Sequence, residues 1–218
     1  MNYQHRGLNT QINLPVGKVV CVGRNYLDHI AELNNTASEY PVIFMKPSTA
    51  LCDFSQPIVL PENKGQCHNE IELAFLIEKP LKNAEIDECR QAIWGVALGL
   101  DLTLRDLQNE LKAQRLPWER AKAFDGACPI TPFVSLDKSH PLEFEFSLTV
   151  NNSIRQQGDS RFMIWSTLQL LSIISSEFSL LPGDIVLTGT PKGVGPLASG
   201  DQLSLCLDNL LELTTEVQ

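Results

Sequence analysis

The sequence of 218 residues has none of the features typical of membrane, nucleic-acid-binding or disulfide-stapled proteins. Its longest apolar run, MIWSTLQLLSII, is shorter than the roughly 18 residues of a membrane-spanning helix and includes polar side chains. Lysine and arginine are scattered, and a formal net charge of −9 argues against nucleic acid as a partner. The same charge offers an anionic metabolite no long-range attraction, so an acidic substrate would depend on local cations.

Six cysteines are present, but they are widely spaced without a C-x-x-C pair, and no secretory leader precedes them. We therefore expect reduced thiols in a cytoplasmic protein. The fingerprints of nucleotide-binding folds are also missing, since the nearest glycine-rich candidate, GTPKGVG, lacks the G-K-[ST] spacing. A hydrophobic content of 43% and a charged content of 20% are typical of a globular protein.

Strand-like runs dominate the chain, and many are separated by proline or glycine turns. They are KVVCVG (18–23), VIFMK (42–46), HNEIELAFLIE (68–78), WGVALGLDL (94–102), EFEFSLTVN (143–151), DIVLTG (184–189) and QLSLCLD (202–208). Helical patterns are fewer and cover 26–33, a segment capped by Asp87, 105–115 and 162–178. Because helices and strands do not alternate regularly, the pattern predicts an α+β fold, with one domain at 18–218 after an N-terminal extension at 1–17.

Three acidic residues form the strongest candidate site. Glu70 and Glu72 lie two apart in a predicted strand, and Asp101 ends the apolar run WGVALGLD. An extended chain turns alternate side chains to one face, so the two glutamates point the same way and repel unless a proton or cation lies between them. Oxygen-only ligands suit Mg2+ or Mn2+ better than zinc. The alternative is the solvated face of an amphipathic strand.

Two further features could supply reactive groups. His29 and Glu32 are three apart, so on a helix the carboxylate would hold the imidazole as a general base for water. Lys122 precedes a turn and could neutralise an enolate or a substrate carboxylate, while Thr190 lies in a glycine loop able to grip an anion. The alternatives are a solvated helix surface, an ordinary surface lysine and a plain tight turn.

Taken together, the motifs resemble the fumarylacetoacetate hydrolase family. The matching segments are VGRNYLDHIAEL (22–33), FMKPS (44–48), HNEIELAFLI (68–77), GLDLTLRDLQ (99–108), LPWERAKAFDGACP (116–129) and GDIVLTGTPKGVGP (183–196). The resemblance runs from about Lys18 to Asp208, and it is greatest to the small single-domain members that act on acylpyruvates and oxaloacetate.

The resemblance implies a β-rich roll of mixed sheets with a few helices, a homodimer, a small 2-oxo acid as substrate, and Mg2+ or Mn2+ as cofactor. It implies a role for each motif residue: metal ligands at Glu70, Glu72 and Asp101, a water-activating dyad of His29 and Glu32, an enolate stabiliser at Lys122, and substrate contacts at Arg24, Lys46, Gln108 and Thr190. The segment 34–42 is a loop of the kind that varies, so no substrate contact is assigned to it.

These residues are compatible with several reactions. The leading hypothesis is hydrolysis of an acylpyruvate, in which water activated by His29 attacks the distal carbonyl and pyruvate leaves as its enolate. Decarboxylation or keto–enol tautomerisation of oxaloacetate would use the same enolate. A longer unsaturated dicarboxylic acid could be isomerised and decarboxylated instead. Outside enzymes, the three carboxylates could serve a metal-stabilised binding protein.

Overall fold

The computed structural model describes residues 3–32 and 39–218. Within these ranges the strands are β1 Val19–Gly23, β2 Val42–Lys46, β3 Leu51–Asp53, β4 Cys67–Asn69, β5 Ile71–Ile77, β6 Ile93–Leu100, β7 Thr103–Leu104, β8 Cys128–Ile130, β9 Val134–Ser135, β10 Glu145–Val150, β11 Ser153–Asp159, β12 Ile185–Leu187, β13 Gly195–Pro196, β14 Gln202–Leu207 and β15 Leu211–Glu216. All seven predicted strand runs are present. The run at 68–78 is interrupted at Glu70, between β4 and β5.

The helices in these ranges are few and short. They are α1 Leu27–Glu32, α2 Ile86–Ala92, α3 Arg105–Ala113, α4 Glu119–Lys122 and α5 Thr167–Glu177. The α1 prediction extended to Leu33, which lies outside the described residues, as does most of the segment 34–42. None of the helices that the structure describes is long and apolar enough to cross a membrane.

Two predicted helix starts were wrong for the same physical reason. Glu85, and not Asp87, caps α2, because the Glu85 and Glu88 side chains satisfy each other's backbone N–H groups in a capping box. Ser166 and Gln169 form a second capping box, so α5 begins at Thr167 instead of residue 162. In both cases the reciprocal pair of side chains fixes the first turn more strongly than the apolar pattern around it.

The largest sheet has eight strands in the order β2-β1-β12-β5-β6-β8-β3, with β9 paired to β6. All seven residues of β5 are buried because both faces of this sheet are covered. One face, with Leu73 and Phe75, packs against β10, β14, α2 and α5, and the other, with Ala74 and Leu76, packs against an inner cluster that includes Phe133.

Two smaller sheets complete the fold. One has the order β11-β10-β14-β15, and the other has the order β13-β4-β7. Parallel pairs, β1 with β12 and β3 with β8, occur beside antiparallel pairs in the large sheet. The α+β class and the β-rich roll of mixed sheets are therefore confirmed.

Four strand ends meet at one edge of the large sheet. β1 and β12 are parallel, so both end there, whereas β5 is antiparallel to β12 and begins there. β6 is antiparallel to β5 and ends opposite its start, with Leu100 paired to Ile71. The Asp101 N–H then donates to the Glu70 carbonyl oxygen at 2.8 Å. Residues just outside these four strands are thereby brought to one place.

The N-terminal residues are tied to the sheet around Gly183. The Nε2 atom of His5 lies 3.0 Å from the carbonyl oxygens of both Pro15 and Gly183, and the Gly17 N–H donates to Gly183 at 3.1 Å. His5 is buried, although its sequence neighbours are polar. The division into an extension at 1–17 and a catalytic domain at 18–218 stays a prediction.

We predict that Gly183→Ala destabilises the protein far more than Gly200→Ala. Both glycines have positive φ, +92° and +91°, so alanine pays a similar backbone cost of about 1–2 kcal/mol at each. A Cβ at Gly183 would lie 1.8 Å from the Pro15 carbonyl oxygen, whereas none of the described atoms lies within 4 Å at Gly200. Urea unfolding should show a Gly183→Ala loss of at least about 3 kcal/mol; equal losses would contradict this account.

Candidate active site

Three buried carboxylates converge at the edge where the strand ends meet. Glu70 precedes β5, Glu72 is its second residue, and Asp101 follows β6. One oxygen of each lies within 4.8 Å of the others. The side chains are 5%, 1% and 1% exposed, which excludes the solvated strand face considered from the sequence.

Three basic side chains surround two of the acids. Lys122 Nζ donates to Glu70 Oε2 at 2.7 Å and to Asp101 Oδ2 at 2.5 Å, and Arg105 donates to Glu70 Oε1. Lys46 Nζ lies 2.8 Å from Asp101 Oδ1. Burial alone would raise the pKa of Glu70, but Lys122 and Arg105 outweigh it and hold the pKa well below its usual value. Lys122 is therefore a buried, paired lysine and not a surface one.

Glu72 lacks such compensation. Its Oε2 accepts a hydrogen bond from the Gly189 N–H at 2.6 Å, and none of the described residues places a cation within ion-pair distance of it. Burial, followed by the charges of Asp101 and Glu70, raises the pKa of Glu72 well above its usual value. The Glu72 charge is therefore costly in the protein alone.

This donor set fits a hard divalent cation. The three oxygens are close together, all are carboxylate oxygens, and the negative charge of Glu72 is uncompensated. Asp101 Oδ1 is also buried and makes no hydrogen bond within the described residues, because the nearby Lys46 ammonium lies outside hydrogen-bond geometry. A cation bound here would neutralise the charge of Glu72, with which none of the three basic side chains forms an ion pair.

The predicted dyad forms in the structure. His29 Nδ1 lies 3.2 Å from Glu32 Oε2 on α1, and the other oxygen of Glu32 accepts from the Gly193 N–H at 2.9 Å. The glycine loop after β12 therefore holds Glu32, which in turn orients the imidazole. His29 is buried and lines the same cavity as the three carboxylates.

Three of the four predicted substrate contacts line that cavity, namely Arg24, Gln108 and Thr190. Arg24 follows β1 with φ of +63°, an uncommon backbone conformation that turns the chain at the sheet edge. Lys46 does not line the cavity. It lies fully buried behind Asp101, where it also donates to the carbonyl oxygens of Lys122 and Ala127.

Sequence reasoning missed a buried amide that holds the site together. Gln156 on β11 donates to Thr190 Oγ1 at 2.8 Å and to the Pro191 carbonyl oxygen at 2.9 Å. Its own oxygen accepts from the Ile71 N–H at 2.9 Å and from Asn69 Nδ2 at 2.7 Å. Gln156 therefore fixes the glycine loop against the backbone between the two glutamates. Nothing in its polar strand marks it for this position.

Asn25 makes a similar cross-link on the other side of the site. Its amide donates to the carbonyl oxygens of Thr188 at 2.8 Å and Trp165 at 3.1 Å, and its oxygen accepts from the Trp165 N–H at 2.9 Å. The ends of β1 and β12 are thereby joined by a fully satisfied buried side chain.

The cavity enclosed by these groups is small, about 30 Å³. Larger depressions of about 660 and 800 Å³ lie elsewhere, and neither is lined by the three carboxylates or by the His29–Glu32 dyad.

Comparison with known proteins assigns the chain to a class. The family model described as fumarylacetoacetate (FAA) hydrolase C-terminal matches residues 18–218. The chain therefore belongs to the fumarylacetoacetate hydrolase family, as the sequence motifs indicated.

Particular relatives share most of their length with this chain. Oxaloacetate tautomerase YcgM of Escherichia coli is 46% identical over 218 residues, covering 99% of each chain. The human oxaloacetate tautomerase FAHD1, mitochondrial, is 39% identical over 201 residues, 92% of this chain and 91% of its own. A structure of fumarylpyruvate hydrolase from Pseudomonas aeruginosa in complex with Mn2+ and pyruvate is 34% identical, with a TM-score of 0.91, covering 100% of this chain and 97% of that one.

We predict that Glu72→Gln stabilises the metal-free protein and abolishes its stabilisation by Mg2+. The pKa of Glu72 is raised in the folded protein. The cost of its charge is therefore absent at low pH, and it grows as the pH rises above the ordinary glutamate pKa of the unfolded chain. At pH 7 in chelator, we expect a gain of about 1–3 kcal/mol over the parent.

Thermal unfolding with EDTA and with Mg2+ measures both effects. Glu62→Gln is the matched control, because Glu62 is exposed and should change neither curve. A Glu72→Gln protein that is less stable in EDTA, or still stabilised by Mg2+ like the parent, would remove Glu72 from the cation site.

Proposed function

We propose that this protein is a divalent-metal-dependent tautomerase that interconverts the keto and enol forms of oxaloacetate. The observation that carries the proposal is the buried cluster of three carboxylates with a histidine–glutamate pair beside it. The similarity to proteins named oxaloacetate tautomerase, at 46% and 39% identity over nearly the whole chain, favours this reaction over hydrolysis.

Glu70, Glu72 and Asp101 would hold Mg2+ or Mn2+. When bound, the cation would act as a Lewis acid that polarises the 2-oxo group and so makes the protons on the neighbouring carbon more acidic. Carboxylate oxygen ligands suit Mg2+ and Mn2+ alike. The remaining residues must position the acid, move one proton and balance the charge that develops on oxygen.

His29 is the proposed base. With Nδ1 held by Glu32, its Nε2 accepts a proton from C3 of oxaloacetate, and Glu32 stabilises the imidazolium that forms. The imidazolium then returns its proton, through a water molecule, to the enolate oxygen, which leaves His29 neutral and completes the keto-to-enol conversion without loss or gain of atoms. The reverse direction uses the same groups.

Lys122 is the proposed stabiliser of the enolate charge. Burial lowers its pKa, but Asp101 and Glu70 raise it by more, which favours the charged ammonium. It therefore acts as a fixed positive charge and not as an acid. Arg24, Gln108 and Thr190 would orient the 2-oxo acid, and Lys46 would act indirectly by holding Asp101.

We predict that the purified protein with Mg2+ accelerates the equilibration of enol and keto oxaloacetate without forming pyruvate. Asp101→Asn should lower the rate by about 100-fold or more, because the cation site loses one of its three charges. Enol absorbance follows the reaction, and a lactate dehydrogenase assay detects pyruvate. Lys82→Met, an exposed position beyond the opposite end of β5, is the control and should leave the rate unchanged.

Pyruvate formed in step with the absorbance change would indicate decarboxylation instead. An inactive parent whose thermal stability nevertheless rises with Mg2+ would favour the metal-stabilised binding protein. A rate unaffected by Asp101→Asn would contradict the proposed centre.

Hydrolysis of an acylpyruvate is the second candidate, favoured by the His29–Glu32 contact and by the likeness to fumarylpyruvate hydrolase. In that reaction His29 would take a proton from water, which attacks the distal carbonyl and releases pyruvate and a carboxylic acid. We predict that His29→Ala abolishes any cleavage of acetylpyruvate while Mg2+ affinity, measured by calorimetry, stays intact. Unchanged cleavage would exclude His29 as the base.

The sequence-based expectations about the whole protein remain part of the proposal. They are one catalytic domain at 18–218 with an extension at 1–17, a homodimer, and a cytoplasmic location. The family resemblance supports the first two, and the widely spaced cysteines support the third.

A further inference from the structure

One face of α3 presents a row of polar side chains to the active-site cavity. Arg105, Gln108 and Lys112 are spaced by three and four residues, which places them on one stripe of the helix. All three line the cavity. Arg105 contacts Glu70, and Gln108 accepts from Arg105 at 2.7 Å, so the first two positions belong to the carboxylate cluster.

Lys112, the last residue of the row, has a different environment. Its ammonium lies over the ring of Trp118, 5.3 Å from the centroid, and among the described residues it has neither a hydrogen-bond acceptor nor an anionic partner. Burial, together with the charges of Arg105 and Arg24, lowers the pKa of Lys112 to about 8. A partly buried cation among other cations is costly unless an anion joins it.

The charges around the cavity leave room for two negative groups of a ligand. Three basic side chains of its lining, Arg105, Lys112 and Lys122, balance the three carboxylates Glu70, Glu72 and Asp101, and Arg24 lines the cavity as well. A divalent cation adds two positive charges. A monocarboxylic 2-oxo acid would neutralise one of the resulting charges, whereas a dicarboxylic 2-oxo acid neutralises two.

We propose that Lys112 binds the second carboxylate of a dicarboxylic 2-oxo acid, at the end of the cavity beside α3 and Trp118. This inference rests on the proposed function, since the first carboxylate and the 2-oxo group are placed at the three-carboxylate cluster. The Trp118 ring holds the Lys112 ammonium in place, so the position is partly organised before the ligand arrives. Lys112 thereby selects for a dianion over a monoanion of similar size.

The test compares two substrates in three proteins. Oxaloacetate carries both carboxylates, whereas its 4-methyl ester keeps the 2-oxo acid and loses the second charge. Lys112→Met keeps the length of the side chain without the charge, and Lys112→Arg restores the charge. With Mg2+ present, Lys112→Met should raise KM for oxaloacetate about tenfold or more with a smaller effect on kcat. KM for the ester should stay unchanged, and Lys112→Arg should recover most of the loss for oxaloacetate.

A binding measurement separates this inference from the proposed function. 3,3-Difluorooxaloacetate has no proton on C3 to transfer, and calorimetry gives its Kd in Mg2+-loaded protein. Binding of this compound that is tenfold tighter in the parent than in Lys112→Met would support the role of Lys112. If the same parent does not tautomerise oxaloacetate, that result would overturn only the proposed function. Equal Kd values in the two proteins, or equal KM changes for oxaloacetate and its ester, would overturn the role of Lys112.

Discussion

The burial of three like charges at one sheet edge is the constraint on which the site depends. Withdrawing a carboxylate from water costs free energy, which a nearby cation or hydrogen-bond donors must offset. For Glu70 and Asp101 this cost is offset by Lys122, Arg105 and Lys46, which lie on three separate elements. Among the described residues, Glu72 receives only a hydrogen bond from a backbone N–H, so the cluster is not a closed ion-pair network and could hold a cation.

The sequence revealed the parts of this site that depend on local spacing. Alternation in an extended chain put Glu70 and Glu72 on one face, and the three-residue spacing of His29 and Glu32 put them in contact on α1. The alternation held even though the strand breaks at Glu70, because Gln156 holds the neighbouring backbone N–H of Ile71. Apolar runs likewise predicted the strands, and the central strands of the large sheet, β1, β5, β6 and β12, are buried on both faces along nearly their whole length.

Contacts between distant parts of the chain could not be predicted in this way. Gln156 and Asn25 lie in segments without a chemical motif, and their partners are far away in the sequence. The order of strands in the large sheet depends on such pairings too, since β1 neighbours β12. The general preference of lysine for solvent also pointed away from Lys122. Lys122 is buried because it pairs with Glu70 and Asp101, and an expectation based on residue type alone does not include these distant partners.

One fold can serve more than one reaction, since relatives of this chain are named as an oxaloacetate tautomerase and as a fumarylpyruvate hydrolase. In the two mechanisms proposed above, both reactions pass through an enolate, so the three acids and Lys122 would not distinguish them. The difference would lie in what His29 faces, which would be a C–H bond of the substrate in one case and water in the other. Glu32 and Gly193 set the position of that imidazole. We therefore expect the choice of reaction to depend on the loop after β12, and on groups such as Lys112 that would fix how far the substrate extends, more than on the three carboxylates.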